Sequence, residues 1–178
     1  MNAAEDFIAK GALQTVPELT WTLEQLKDHG IASVLEIGCY QGGLTRLWCS
    51  LGMDVTAVDL ENLGGLDKEP GVRFLQHRSD DPMLLDALLD ATFDIVYIDG
   101  DHSYEGAKHD WETFGPMARV AVIFHDIADP DLIVPGPDWP IDWRAEKGGV
   151  YRLWQEIRGE YTTEFPHQPN GVGIVWMR

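Results

Sequence analysis

Ser33-Val34-Leu35-Glu36-Ile37-Gly38-Cys39-Tyr40-Gln41-Gly42-Gly43 passes from a short apolar run into a glycine-bearing turn. The run from Ser33 to Ile37 reads as a strand buried on both faces, and Leu44 to Leu51 reads as the helix that follows. Gly38 lets the chain turn sharply off the strand, and Gly42 and Gly43 admit a ligand or a neighbouring helix close to the backbone. A strand, a glycine turn and a helix in that order leave free N–H groups at the helix start, where a carboxylate or phosphate is held. The spacing E-x-G-x-x-x-G differs from the G-x-G-x-x-G of dinucleotide-binding turns.

The same alternation continues outward. Val55–Val58, Val72–Leu75, Asp94–Ile98 and Val120–Phe124 read as strands, and Pro82–Leu89 and Tyr104–Phe114 as helices, with Ser103 as an N-cap. Upstream, Leu19, Leu23 and Leu26 recur at helical spacing within an N-terminal helical segment, residues 1–30, with Thr20 or Thr22 as cap and His29-Gly30 as the stop. Downstream, Asp129–Lys147 holds Pro130, Pro135, Pro137 and Pro140 and reads as a long loop of the kind that forms a lid or substrate loop. Val150–Ile157 reads as a helix. Tyr161–Phe165 and Val172–Trp176 then form an antiparallel pair around Pro169-Asn170-Gly171. The sum is one α/β domain over residues 1–178: a doubly wound, mostly parallel, seven-stranded sheet with an antiparallel C-terminal hairpin, in three α/β/α layers.

Composition narrows the function. The net charge of −17 repels phosphate backbones and anionic lipid, so nucleic acid and membrane surfaces are not expected partners and a small neutral or cationic molecule is. No apolar run approaches the roughly 18 residues of a membrane span, and Met1–Lys10 does not read as a signal peptide. The two cysteines, Cys39 and Cys49, have neither disulfide-scaffold nor zinc spacing and read as free thiols, which suits a cytoplasmic location.

Ionisable residues gather where strands end. Asp59 closes the second strand, placed to accept hydrogen bonds from ribose hydroxyls. Asp99-Gly100-Asp101-His102 follows the fourth strand and His125-Asp126 the fifth. In an open parallel sheet these groups share one crevice, and carboxylates with imidazole are donors for a divalent cation. His77 and His109 read as surface or helix residues. Trp48, Trp111, Trp154 and Trp176 read as core, whereas Trp139 and Trp143 suit either ring stacking or cover of a sheet edge.

With these residues in place, the turn and Asp59 resemble the class I S-adenosylmethionine-dependent methyltransferases, which are Rossmann-like. Ile98–Gly106, Asp110 and Phe124-His125-Asp126-Ile127 resemble the branch containing macrolide-sugar and aminocoumarin-sugar O-methyltransferases and the cephalosporin hydroxylase-like proteins. The tail from Gly149 to Trp154 and through Gly171-Val172-Gly173 resembles that branch too. The resemblance implies that Glu36, Gly38, Tyr40, Gly42 and Gly43 cradle the methionine part of the cofactor, with Asp99 alongside. It implies that Asp59 takes the ribose and that Ser79 and Asp80 flank the adenine. Asp99, His125 and Asp126 match metal ligands for Mg2+ or another divalent metal, and Asp99, His102 and His125 are the candidate bases. His125 stands where relatives carry an acid, which also admits a softer metal or a metal-free base. Leu13–Leu19, with Gln14, matches a cofactor-side segment loosely. Pro116-Met117-Ala118 replaces the usual Pro-Gly-Gly before the fifth strand, so that turn must differ.

The resemblance therefore implies O-methylation of a small-molecule or sugar hydroxyl, with a homo-oligomer as an open option. Two rival readings remain: a metal-dependent nucleotide-sugar glycosyltransferase using Asp99-Gly100-Asp101, and a non-catalytic protein that binds the cofactor or a partner. The glycine spacing, and the lack of a Tyr-x-x-x-Lys pair, speak against a nicotinamide enzyme.

Overall fold

The computed structural model describes residues 11–133, 143–166 and 170–178, with residues 143–147 by backbone alone. Helix α1 spans Val16–Leu26, β1 Ser33–Ile37, α2 Gly43–Ser50, β2 Asp54–Asp59, β3 Val72–Gln76, α3 Pro82–Ala87 and β4 Phe93–Ile98. They are followed by α4 Tyr104–Phe114, β5 Ala118–His125, α5 Trp143–Ile157, β6 Thr162–Phe165 and β7 Val172–Trp176. The seven strands form one sheet in the order β3-β2-β1-β4-β5-β7-β6. The first five are parallel, and β7 runs antiparallel to both β5 and β6. The expected doubly wound sheet and C-terminal hairpin are both present.

Strand periodicity divides the apolar residues between two faces. On one face Val34, Ala57, Ile95, Tyr97 and Ile123 pack with Leu19 and Leu26 of α1 and with Leu44, Leu47 and Trp48 of α2. On the other, Leu35, Val58, Val96, Ile98 and Phe124 pack with residues of α3, α4 and α5, including Leu84, Phe114 and Trp154. Helices on both faces bury all but the first residues of β1, β4 and β5, which is why these strands carry nearly unbroken apolar runs. Trp48 and Trp154 lie in this core, and Trp111 and Trp176 are packed against it half-buried. Chain direction across the sheet reverses between β1 and β4, the place where such folds open a crevice.

Two local expectations need correction. Neither Thr20 nor Thr22 caps α1; Thr15 does, in a capping box with Glu18, because Pro17 favours a start one turn earlier. Helix α5 begins at Trp143, not near Val150, so the proline-rich stretch is shorter than Asp129–Lys147. Gly149 sits inside that helix because a side chain there would lie 2.2 Å from the His102 carbonyl oxygen, where α5 crosses the start of α4. The lead-in to β5 is a single 3-10 turn, Gly115–Met117. The remaining part of the expected lid, residues 134–142, and Met1–Lys10 and Pro169 lie outside the described residues.

The capping box gives a direct stability test. Thr15→Ala removes an acceptor for the Glu18 N–H, which should cost about 1 kcal/mol. For a domain of this size a thermal melt should record a fall of roughly 2–4 °C.

Candidate active site

The crevice at the β1/β4 junction is a cleft of about 420 Å3 whose lining includes Gln14, Glu36, Gly38, Asp59, Asp99 and His102. Gly38 makes it possible. Its φ is +81°, and a Cβ there would stand 2.1 Å from the Asp99 carbonyl oxygen, so only glycine lets the two strand ends meet. Asp59 then organises the turn: its Oδ2 accepts from the N–H groups of Cys39 at 2.9 Å and Tyr40 at 2.8 Å. The carboxylate therefore holds the turn in shape as well as facing the cleft. Gly42, at φ +75°, caps α2 in the left-handed region, and Gly43 lies against the Ala12 backbone, where no side chain fits.

Glu36 is buried beneath this turn, and its Oε2 has no hydrogen-bond partner. Burial pushes its carboxyl up to about 8; the Thr45 hydroxyl offsets part of this, and the charges of Asp99 and Asp59 add to it. The Gln14 amide oxygen is likewise buried and unpartnered.

The strand-end acids and histidines do converge. Asp99 Oδ1 lies 3.2 Å from His102 Nε2 and 3.2 Å from His125 Nδ1. Asp99 Oδ2 accepts from the Gln14 side-chain amide at 2.9 Å. His102 Nδ1 lies 3.2 Å from Asp126 Oδ2, so its ring bridges the two strand-end aspartates. Asp126 is held at φ +63°, strain a non-glycine residue accepts only where the surroundings impose it. Burial alone would raise the Asp99 carboxyl, but the His125 charge and hydrogen bonds from both histidines overrule it and hold Asp99 well below the usual range. Burial would lower His125, but the charges of Asp99 and Asp126 and the contacts with Asp99 and Glu18 push it well above its usual value. Both shifts favour a charge-paired His125 and Asp99 while no cation is bound. His125 is only 3% exposed, whereas the His102 side chain is 30% exposed and opens to the cleft.

Other expected residues sit apart from this cluster. Asp101 also lines the cleft, but its Oδ1 accepts from the Ser103 N–H at the start of α4, and the donor group that converges on Asp99 is formed by His125 and Asp126. Asp80 is exposed and paired with Arg78 at 2.8 Å, while Ser79 lines the far end of the cleft beside His77 and Arg78. Beneath that end, burial pushes Asp110 up to about 6, with the Ser79 hydroxyl and the His109 charge offsetting part and Asp101 and Asp80 adding to it. Cys39 and Cys49 are free thiols.

Sequence reading missed Glu18 and undervalued Gln14. Thr15-Val16-Pro17-Glu18 is legible as a capping box, which accounts for one duty of Glu18. Its Oε1 accepts from the Gly171 N–H at 2.7 Å, and its Oε2 faces His125 Nε2 at 3.8 Å.

The donor set suits a divalent cation. One oxygen each from Asp99 and Asp126 and one nitrogen of His125 lie within 4.8 Å of one another. Two carboxylates and an imidazole, of which Asp99 lines the cleft and Asp126 and His125 lie buried behind it, are a set of ligands by chemistry and by spacing.

A methyltransferase domain family model matches residues 35–127, just over half of the chain. Among curated sequences, uncharacterized protein y4gI of Sinorhizobium fredii (strain NBRC 101917 / NGR234) is 28% identical over 95 residues, 52% of this chain but only 9% of that protein. Among solved structures, a Staphylococcus aureus protein assigned as a caffeoyl-CoA O-methyltransferase superposes with a TM-score of 0.71 at 16% identity, covering 96% of this chain and 88% of that one. The Bacillus cereus O-methyltransferase in complex with SAH gives 0.65 at 15% identity, covering 98% and 90%. The MycE methyltransferase of the mycinamycin biosynthetic pathway, in complex with Mg, SAH and mycinamycin VI, gives 0.64 at 18% identity, covering 97% of this chain and 52% of that one. No helix among the described residues is long and apolar enough to cross a membrane. The matched region runs from the glycine turn to the acids that end β4 and β5, and the chain belongs to this methyltransferase domain family.

Proposed function

We propose that this chain transfers the methyl group of S-adenosylmethionine to a hydroxyl of a small-molecule acceptor, as one domain. The observation that carries the reading is the Asp99 carboxylate. It stands at the rim of the glycine-turn cleft and touches both His102 and His125. The cleft has unmet hydrogen-bonding capacity that suits the cofactor: the orphaned Glu36 Oε2 and Gln14 Oε1 are acceptors for an amino group. Asp59 has lone pairs left for ribose hydroxyls, and Ser79, with Asp80 beyond it, borders the end left for adenine.

When bound, S-adenosylmethionine supplies an electrophilic methyl sulfonium. The chain has to bring an oxygen in line with it and take the proton. Asp99, held ionised by the His125 charge, is a good hydrogen-bond acceptor for an acceptor hydroxyl but a weak base. His102 is the imidazole that reaches the cleft, and we assign it the proton, with Asp99 and Asp126 fixing its ring from either side. His125 is too deeply buried to reach an acceptor and acts by orienting Asp99. A dication held by Asp99, Asp126 and His125 would lower the pKa of an acceptor hydroxyl. The need for a base or metal favours oxygen over an already nucleophilic thiol. The MycE complex with Mg and a macrolide, and the SAH complex of the Bacillus cereus O-methyltransferase, support this reading. The acidic charge disfavours nucleic acid as the acceptor.

Calorimetric titration with S-adenosylhomocysteine tests the cofactor assignment. The wild type should bind at micromolar concentrations, Gly38→Ala should not bind, and Asp59→Ala should bind roughly tenfold more weakly for about one lost hydrogen bond. A nucleotide sugar that binds in its place would overturn the reading.

Glu36 gives a pH test. Its folded-state value of about 8 lies above the ordinary 4.5, so the folded protein binds the extra proton between these values and stability falls as pH rises through that window. The melting temperature of the ligand-free protein should drop from pH 6 to pH 9, and Glu36→Gln should flatten that drop.

A further inference from the structure

Glu18 has a place in the site that methyl transfer as described does not use. It is fully buried on α1, at the interface with the C-terminal hairpin. Both of its oxygens are fixed by backbone: Oε1 by the Gly171 N–H at 2.7 Å and Oε2 by the Thr15 N–H at 2.7 Å. A carboxylate held at both ends cannot rotate away, and its Oε2 faces His125 Nε2 at 3.8 Å. That nitrogen is buried and has no hydrogen-bond partner among the described residues. The opposite edge of the ring presents Nδ1 to Asp99 Oδ1 at 3.2 Å and to Asp126 Oδ1 at 3.7 Å.

The ring is therefore sandwiched edge to edge between a fixed carboxylate and two strand-end carboxylates. With a cation on Nδ1, at the point where the Asp99 and Asp126 oxygens converge, the imidazole is neutral and its hydrogen lies on Nε2, toward Glu18. A carboxylate behind a ligating histidine fixes tautomer and ring angle and raises the basicity of the ligating nitrogen. A nitrogen among two hard oxygens also changes which ion is favoured. Magnesium seeks oxygen donors and water, whereas zinc, iron and nickel accept imidazole readily, and manganese, although it also favours oxygen, accepts a nitrogen more easily than magnesium does.

We propose that Glu18 is a positioning residue that presents His125 Nδ1 to a cation centre completed by Asp99 and Asp126, and that this centre takes a transition-metal dication such as Mn2+ in preference to Mg2+. The inference rests on the methyl-transfer reading for the purpose of the centre, but its test requires no turnover.

The test uses Mn2+ as the probe on the full chain. Free Mn2+ is counted by electron paramagnetic resonance during titration, Mg2+ is added as competitor, and the bound ion is examined by electron spin echo envelope modulation. The wild type should bind Mn2+ at least roughly tenfold more tightly than Mg2+. The bound ion should show a directly coordinated nitrogen, and His102→Gln should keep that signal, which assigns it to His125. Glu18→Gln, which preserves volume but can accept only one of the two backbone hydrogen bonds and removes the charge behind His125, should weaken Mn2+ binding on the order of 10–100-fold. Its circular dichroism should match the wild type, and any unfolding leaves the wild-type and His102→Gln measurements to decide the matter. Oxygen-only coordination, Mg2+ binding as tight as Mn2+, no dication binding, or a folded Glu18→Gln with unchanged affinity would each overturn the proposal. S-adenosylhomocysteine titration of the same samples separates the two failures: binding with oxygen-only coordination leaves the methyltransferase reading intact, and nitrogen coordination without binding does the reverse.

Discussion

The site depends on how closely two strand ends meet. At the β1/β4 junction the Gly38 backbone touches the Asp99 carbonyl, with no room for even a methyl group between them. This contact aligns the turn that ends β1 with the acid that ends β4. Because the sheet reverses direction there, the two helices that follow diverge to opposite faces and leave a crevice. The Asp59 carboxylate, arriving from β2, ties the turn to the third strand end. A larger residue at position 38 would have to part the strands, and cleft, turn and Asp99 would move together.

Charge is the second constraint. Asp99, Asp126 and Glu18 are all withdrawn from water, and unpaired buried carboxylates are costly. Two imidazoles placed between them meet that cost: His125 joins Asp99 to Glu18, and His102 joins Asp99 to Asp126. Burial opposes ionisation of Glu18, but the His125 contact and charge and the Thr15 and Gly171 N–H groups hold its carboxyl below the ordinary value. The result is a preorganised polar frame with one ring exposed to the cleft and one locked behind it. Helix α1 closes this frame, since Gln14, just before its cap, and Glu18, in its first turn, reach Asp99 and His125 respectively.

Sequence reading recovered what is local. An apolar pentad before Gly38 and acids directly after apolar runs each carry a short-range signal, so β1, β4, β5 and the residues at their ends were identifiable. Ser103 was recognisable as a cap for the same reason. The start of α5 was obscured by four prolines and by Gly148-Gly149, whose weak helix propensity is overridden by close packing of Gly149 on α4. Glu18 was legible only as half of a capping box. Its contact with Gly171 spans 153 positions, and no periodicity encodes it. The deeper burial of His125 relative to His102, which sets one ring behind the cleft and the other at its edge, likewise follows only from the packing of α1 and β7 around β5.

Transfer of a labelled methyl group is the most direct measurement of the central claim. Wild-type protein and Asp99→Asn are each incubated with methyl-labelled S-adenosylmethionine and a panel of hydroxylated small molecules, with the divalent cation varied. The account predicts label in an O-methyl ether formed by the wild type, and a rate lower by on the order of 10²–10⁴-fold in Asp99→Asn. Label found on carbon or sulfur, or an Asp99→Asn protein that turns over at the wild-type rate, would contradict it.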